Sequence, residues 1–273
     1  MLLVALVSTG CSTAIQTPAA DEVSAQAQCL PPSTFTAETE AYSAQDALAV
    51  AQNIVNCMNA SQYSDAVSQA TPAFIQAEFG LSDPEAAQYA FTDFPPFVVE
   101  SIGNAQQLEP GRFSVELRYR REVGAHMLVH ERWIFTEVDG RLLLSDLEPL
   151  PVTLEGDYTE VDVHMTDFAF ELSQTSFAPG STVVFHAANV GDYPHEFVVF
   201  RLPEGTDMEA VRQGELPDGL QFIGVTSASA GEVATDLVLV DLDAGHYAVI
   251  CFIGEPEGIP HLARGMVREF RVE

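Results

Sequence analysis

The chain has 273 residues, which is long enough for two domains of ordinary size. Its 40 acidic residues outnumber its 11 basic ones and give a formal net charge of −29 at pH 7. A nucleic-acid reader needs a basic face that offsets phosphate charge, so this composition excludes nucleic acid as a partner.

The first eleven residues form a short apolar run that ends in small residues and Cys11. This pattern resembles the end of a bacterial lipoprotein signal, in which the cysteine receives the lipid. The polar segment Ser12–Gln28 would then serve as a tether. We therefore assign residues 1–34 to a signal remnant and tether, and predict export to the cell surface or periplasm. A lipid at Cys11 would be the contact with the membrane; the alternative is a frayed N-terminus with a chance cysteine.

Two further cysteines, Cys29 and Cys57, lie in the N-terminal part of the chain. In an oxidising compartment they could form a disulfide that ties the leader segment to the first helix. Free thiols at both positions remain the alternative.

Helical signals dominate the next stretch. Ser43-Ala-Gln-Asp46 has the spacing of a capping box, and the apolar residues after it recur at helical intervals, which predicts a helix over about 44–59. Shorter helical pieces are predicted at 63–69, at 71–79 and from Asp83. After Pro95-Pro96 the apolar period becomes two, and turn residues separate four predicted strands, at 97–108, 112–122, 126–138 and 141–147. Helices followed by an antiparallel sheet indicate an α+β domain over residues 35–150.

This element order, with the phrase Asn59-Ala-Ser-Gln-Tyr-Ser-Asp-Ala-Val, resembles the ketosteroid-isomerase and SnoaL-like family. The resemblance implies a cone in which helices close the mouth of a bent sheet. An isomerase of this shape needs an Asp base facing a Tyr and a protonated carboxyl, and that trio cannot be placed here. Strand alternation instead puts Tyr119 on an apolar face, as a core residue. We predict no catalytic residue and no enzyme, while isomerase-like or cyclase-like activity of the cone stays an alternative.

A short linker, Pro149–Asp157, leads to a segment of different character over residues 158–273. Alternating runs separated by Gly and Pro turns predict six strands, at 161–170, 181–189, 196–201, 234–242, 245–253 and 267–272. This many short strands in one segment indicates an all-β sandwich.

One loop near the C-terminus places Cys251, His261 and Met266 in that order after a strand-like run, and His195 follows Pro194 upstream. Two imidazoles, a thiolate and a thioether are the ligands of a mononuclear electron-transfer copper. Zinc is less favoured, because structural zinc sites use additional Cys or His rather than Met. Each residue alone could be an ordinary core or turn residue; the combination favours copper.

The segment also resembles the cupredoxins, which are Greek-key sandwiches that bind blue copper. The motifs are Phe177-Ala-Pro-Gly-Ser-Thr-Val-Val-Phe, Asn189-Val-Gly-Asp-Tyr-Pro-His195, Ala244-Gly-His-Tyr-Ala-Val-Ile-Cys251 and His261-Leu-Ala-Arg-Gly-Met266. The resemblance implies one type 1 copper, with His195, Cys251 and His261 as equatorial ligands and Met266 as the axial one. Asn189 and Pro194 would support the ligands, with Asn189 joining the two ligand loops and donating toward the thiolate.

The spacing departs from the family at one point. Nine residues separate Cys251 from His261, more than is usual, so the insertion Gly254–Pro260 must bulge outward and return. His261 is expected to lie nearest to solvent, in an apolar patch with Ile259, Pro260 and Leu262 where a redox protein would dock.

Bound copper would make the protein a single-electron carrier, since no second histidine cluster exists to build an oxidase or reductase site. Copper storage or delivery is a variant of this function. The main alternative is a copper-free surface module of two domains that binds a small ligand or a protein partner.

Overall fold

The computed structural model describes residues 28–35, 41–80, 86, 96–123, 125–255 and 258–273. In its first half, a short 3-10 helix (Pro32–Phe35) precedes three helices and four antiparallel strands. The helices are α1 (Ala44–Asn59), α2 (Tyr63–Val67) and α3 (Pro72–Phe79). The strands are β1 (Phe97–Glu109), β2 (Arg112–Val123), β3 (Ala125–Val138) and β4 (Arg141–Pro149). Cys11 and the helix start predicted at Asp83 lie outside the described residues.

Helix α1 begins where its capping signal predicts. The side chain of Ser43 accepts from the Asp46 N–H at 3.3 Å, and the Asp46 carboxylate accepts from the Ser43 N–H at 2.7 Å. The buried face of α1 packs on the sheet and forms one apolar core with it. Tyr119 is 1% exposed and belongs to this core, as predicted. Within the described ranges, no helix is both long enough and apolar enough to cross a bilayer.

Cysteines 29 and 57 are disulfide-bonded. The bond joins the segment before the 3-10 helix to the buried face of α1. Beside it, the side-chain amide of Asn53 pairs with the backbone of Leu30, accepting from its N–H at 2.8 Å and donating to its carbonyl at 3.0 Å. The N-terminal segment is thus held by one covalent bond and two hydrogen bonds.

The second half is almost entirely strand. Its strands are β5 (Thr159–Thr166), β6 (Ala169–Leu172), β7 (Ser176–Phe177), β8 (Val183–Asn189), β9 (His195–Leu202), β10 (Gln221–Ala228), β11 (Leu237–Val240), β12 (Gly245–Ile250) and β13 (Val267–Val272). A short helix α4 (Met208–Arg212) follows β9, and a 3-10 helix (His261–Arg264) precedes β13. One sheet has the order β10-β9-β12-β13-β7, and β11, β8, β5 and β6 lie in the other. Side chains from both sheets meet in a second apolar core.

One sheet runs through both halves. Strand β3 pairs with β2 on one side. On its other side it pairs with β4 and, further along, with β11 in the register Leu128↔Val238. The resulting eight-stranded sheet extends from β1 to β6. Met127, on β3, packs against both apolar cores. Backbone hydrogen bonds therefore join the halves; the predicted domain boundaries (1–34, 35–150 and 158–273) stay a prediction.

The single strand predicted over 161–170 is wrong. A turn at Asp167-Phe168, with Phe168 at φ 65°, divides it into β5 and β6. Strand β7, only two residues long, was not predicted. Strand β10 and helix α4 were not predicted either, because residues 203–233 show neither a period of two nor a helical one.

Candidate metal centre

Three chain segments meet at one end of the second core. His195 is the first residue of β9, Cys251 follows the last residue of β12, and His261 opens the 3-10 helix. Strands β9 and β12 are neighbours with the register Ile250↔Val198, so the sheet itself places Cys251 beside the start of β9.

The donor atoms of these residues converge. The Nδ1 atoms of His195 and His261 are 3.1 Å apart, and the Cys251 Sγ lies 3.4 Å from the His261 Nδ1. One ligand atom from each of the three lies within 4.8 Å of the other two. His195 and Cys251 are fully buried and His261 is 1% exposed. The structure therefore brings together the three residues that were expected to be equatorial ligands.

The protonation chemistry of the cluster fits a soft metal ion. Burial raises the pKa of the Cys251 thiol, although the N–H groups of Glu196 and Ile253 point at its sulfur and oppose the rise. Burial and the neighbouring His195 lower the pKa of His261, which leaves that ring neutral at pH 7. Neutral imidazole is the form that binds a metal, and a buried thiolate needs a cation to offset its charge. With metal bonds of about 2.1 Å to nitrogen and about 2.3 Å to sulfur, the separations of 3.1 and 3.4 Å are short enough for one ion to bridge.

The long insertion does not keep Cys251 and His261 apart, because it folds back as a small hairpin. Gly254 and Pro260 form an antiparallel bridge, and the His261 N–H donates to the Ile253 carbonyl at 2.8 Å. Arg264 reaches back to the Glu255 carboxylate at 2.8 Å. Residues 256 and 257, at the tip, lie outside the described residues. The excursion thus begins and ends within two residues of the ligands.

Met266 lies at the far end of the same loop and is fully buried in the second core. Its backbone is joined to two ligands: the Met266 N–H donates to the His261 carbonyl at 3.1 Å, and its carbonyl accepts from the Cys251 N–H at 3.3 Å. These bonds hold the backbone of Met266 beside His261 and Cys251.

The role expected for Asn189 is wrong in part. Its amide nitrogen donates to the carbonyls of Tyr193 and Ala228, at 2.8 and 3.0 Å, and its oxygen accepts from the Gly191 N–H at 3.0 Å. Both of its N–H bonds are therefore used on carbonyls, and none is directed at the thiol. Asn189 shapes the loop that leads through Pro194 to His195 but does not join it to the loop of Cys251.

Glu196, which the sequence did not single out, makes that connection. Its carboxylate accepts from the Phe252 N–H at 2.6 Å and also from the Ile253 N–H. Burial raises the pKa of Glu196 in spite of these two bonds. One residue therefore joins the strand of His195 to the loop of Cys251. The position of Glu196, directly after the candidate ligand His195, was the signal that the sequence offered for it.

His261, expected to be the candidate ligand nearest to solvent, is only 1% exposed, because other rings cover it. The rings of Phe168 and Tyr193 pack against the imidazole, with centroid separations of 5.2 and 6.0 Å. Leu262 is buried too, whereas Ile259 is 37% exposed. The ring nitrogen Nε2 of His261 is buried and has no hydrogen-bond partner among the described residues.

A second missed residue, Asp167, lies behind His195. Its Oδ1 is 3.2 Å from the His195 Nε2 and accepts from the N–H groups of Asp192 and Tyr193, at 2.9 and 3.3 Å. Burial works against ionisation of this carboxyl, but the bonds from His195 and the two N–H groups outweigh it and lower its pKa. The carboxylate is therefore charged at neutral pH.

The cavity between the helices and the sheet of the first half is small. Glu131 accepts from the Tyr119 hydroxyl and the Trp133 indole, both at 3.1 Å, beside this apolar cavity of about 80 Å³. Small-molecule pockets usually measure about 300–1,000 Å³. The cavity between the helices and the sheet is therefore well below that size.

Solved structures of copper proteins are similar to part of this chain. Reduced auracyanin from Roseiflexus castenholzii matches with 19% identity and a TM-score of 0.31, over 43% of this chain and 99% of that one. Auracyanin A, a "blue" copper protein from Chloroflexus aurantiacus, matches with 18% identity and a TM-score of 0.30, over 42% and 99%. Rusticyanin from Thiobacillus ferrooxidans matches with 18% identity and a TM-score of 0.31, over 44% and 79%. No protein-family model and no curated protein matches the sequence.

Proposed function

We propose that this protein binds one copper ion through His195, Cys251 and His261 and serves as a single-electron carrier. The observation behind the proposal is the convergence of two imidazole Nδ1 atoms and one thiol sulfur in a buried cluster. Imidazole with thiolate is a ligand set that suits both oxidation states of copper. Met266, buried on the same loop, would be the axial ligand of a type 1 site. The second half would then be a cupredoxin domain, with the first half as an accessory cone.

Burial of the cluster favours electron transfer over catalysis. Catalytic metal sites keep an open position for water or substrate. Here the three candidate ligands are at most 1% exposed, and Phe168 and Tyr193 cover His261. An electron can cross such a cover, whereas a substrate cannot reach the ion without displacing it.

A redox protein would dock over the same cover. Val190, Tyr193 and Ile259, on two loops next to the candidate ligands, are 60%, 39% and 37% exposed. These apolar side chains suit a small, transient contact, in which charges around the rim select the partner. The Tyr193 ring, which contacts both His261 and solvent, would lie between donor and acceptor.

Export is part of the proposal. The disulfide between Cys29 and Cys57 is a bond that persists in oxidising compartments, which supports a cell-surface or periplasmic location. A lipid at Cys11 would anchor the chain to the membrane.

The test is the visible absorption spectrum of the purified protein with added Cu(II), beside a Cys251→Ser control. We expect an intense thiolate-to-copper band at one copper per chain, and its loss in the control. The band should bleach with ascorbate and return with an oxidant while copper stays bound, which separates electron transfer from copper delivery. Absence of the band would contradict the proposal and favour the copper-free surface module.

A further inference from the structure

The interaction between Asp167 and His195 has no part in the function proposed so far. Asp167 occupies the turn between β5 and β6, and its side chain is 30% exposed, whereas that of His195 is fully buried. We propose that Asp167 is a positioning residue that presents His195 to the metal and biases the site toward the oxidised ion. This inference rests on the proposed copper site.

Hydrogen-bond partners determine which nitrogen of His195 carries the proton. An ionised carboxylate only accepts, so the His195 Nε2 facing the Asp167 Oδ1 must be the N–H. The lone pair of the ring then lies on Nδ1, the atom that faces the His261 Nδ1. Asp167 therefore holds His195 in its metal-binding tautomer before any metal arrives.

The tautomer of His261 agrees with this assignment. If the His195 Nδ1 is unprotonated, a hydrogen bond across the 3.1 Å contact between the two rings puts a proton on the His261 Nδ1 of the metal-free protein. This proton must move to the His261 Nε2 or leave when a metal binds. In the metal-free protein the His261 Nε2 is thus a bare nitrogen, and it is the buried ring atom without a partner among the described residues. An unpaired acceptor costs less than an unpaired N–H would, because buried N–H groups are almost always bonded.

The surrounding backbone is built to hold this carboxylate. Besides His195, the Asp167 Oδ1 accepts from the N–H groups of Asp192 and Tyr193, on the loop that leads to His195. Gly191, on that loop, leaves the space the carboxylate needs. A Cβ there would overlap the Asp167 Oδ1 and lie 3.0 Å from the His195 Nε2.

A fixed negative charge behind a ligand affects the two oxidation states unequally. A carboxylate bonded to the far nitrogen raises the basicity of the imidazole. Its Coulomb attraction is greater for Cu(II) than for Cu(I), because the charge of the ion is greater. Asp167 should therefore lower the reduction potential of the site relative to a neutral residue of the same shape.

The substitution Asp167→Asn tests the charge, because asparagine keeps an acceptor oxygen in the same place. We expect the Cu(II) affinity to fall by roughly 10–100-fold, the Cu(I) affinity to fall less, and the midpoint potential to rise. Asp192→Asn is the matched control: it removes a charge from the same loop, and within the described structure its carboxylate makes no hydrogen bond or ion pair. A merely structural role would weaken both affinities equally and leave the potential unchanged. An unchanged potential, or an equal shift in the control, would overturn the proposal.

A second measurement needs no metal. Two-bond ¹H–¹⁵N correlations of the metal-free protein report which nitrogen of His195 is protonated. We expect Nε2–H in the natural protein, and loss of this preference in Asp167→Ala. Gly191→Ala should reproduce that loss, whereas Gly103→Ala, which adds a Cβ in open space, should not.

The two experiments separate the two proposals. A natural protein with His195 protonated at Nδ1 would refute the role of Asp167 even if copper binds. If His195 is protonated at Nε2 but no copper band appears, the contact between Asp167 and His195 stands. The proposed effect of Asp167 on a copper site, and the proposed function, would both be refuted.

Discussion

At the residue scale, one carboxylate connects two candidate ligands that lie far apart in the sequence. Glu196 adjoins His195, and its side chain binds the N–H groups of Phe252 and Ile253, directly after Cys251. Amide groups at the end of a buried strand have few other partners, so this side chain determines how the Cys251 loop leaves the sheet.

Replacing Glu196 should therefore destabilise the protein even without metal. We expect Glu196→Ala to lower the free energy of unfolding by about 1.5–3 kcal/mol, the cost of losing hydrogen bonds to a charged group. Glu196→Gln, which keeps the acceptor oxygen, should lose clearly less. Urea denaturation of the metal-free proteins measures both. Equal losses in the two variants would mean that the charge, and not the bonding geometry, matters.

Residue types and spacing were enough to predict that His195, Cys251 and His261 come together, because sulfur and imidazole ligands are rare and chemically distinct. Met266 as the axial ligand stays a prediction. Residue types and spacing were not enough for Asp167 and Glu196, since the turn and the strand register that bring these carboxylates into the site cannot be predicted from local sequence.

One sequence signal was available for Asp167. Buried residues on β5 have odd numbers (Val161, Val163, Met165), whereas Phe170 on β6 has an even one, and this change of phase marks the turn between them.

At the element scale, local signals predicted the first half well. The capping box at Ser43 and the Asp139-Gly140 turn, where both residues have positive φ, act within a few positions and so can be read directly from the chain. Strand β10 lacks such a signal, because its register is set by β9. Helix α4 has one, the capping side chain of Asp207, but the helix is only five residues long.

The disulfide acts on an element, since it ties the N-terminal segment to α1. It closes a loop with a sequence separation of 28 residues, for which chain entropy predicts a stabilisation of about 3–4 kcal/mol. We expect the double substitution Cys29→Ser/Cys57→Ala to lower the free energy of unfolding by about this amount, measured in urea. Reducing agent should destabilise the natural protein similarly and leave the double variant unchanged. A loss below about 1 kcal/mol would show that the Asn53 hydrogen bonds alone hold the segment.

At the scale of the whole molecule, the two halves share a sheet. The pairing of β3 with β11 was not predictable, because alternation identifies a strand but not its partner. The linker Pro149–Asp157 indicated a boundary, and the structure adds that backbone pairing and Met127 connect the two cores across it.

Shared pairing predicts coupled unfolding. Trp133, the single tryptophan, lies in the first core, whereas the candidate metal centre lies in the second half. We expect copper to stabilise both halves together, by about 2.7 kcal/mol at a free concentration of one hundred times Kd. Urea midpoints from Trp133 fluorescence and from the copper band should shift and coincide, and copper should not shift the fluorescence midpoint of Cys251→Ser. Two separate transitions would contradict the coupling.

The cover of Phe168 and Tyr193 over His261 would also affect how long the site keeps a bound ion. No ion can enter or leave such a cluster while the loops around it stay closed, so exchange must wait for a local opening. The protein would then keep its ion because release is slow, as well as because binding is tight. A carrier outside the cell, where escaped copper is diluted away, gains from slow exchange, whereas a protein that hands copper to others would need the opposite.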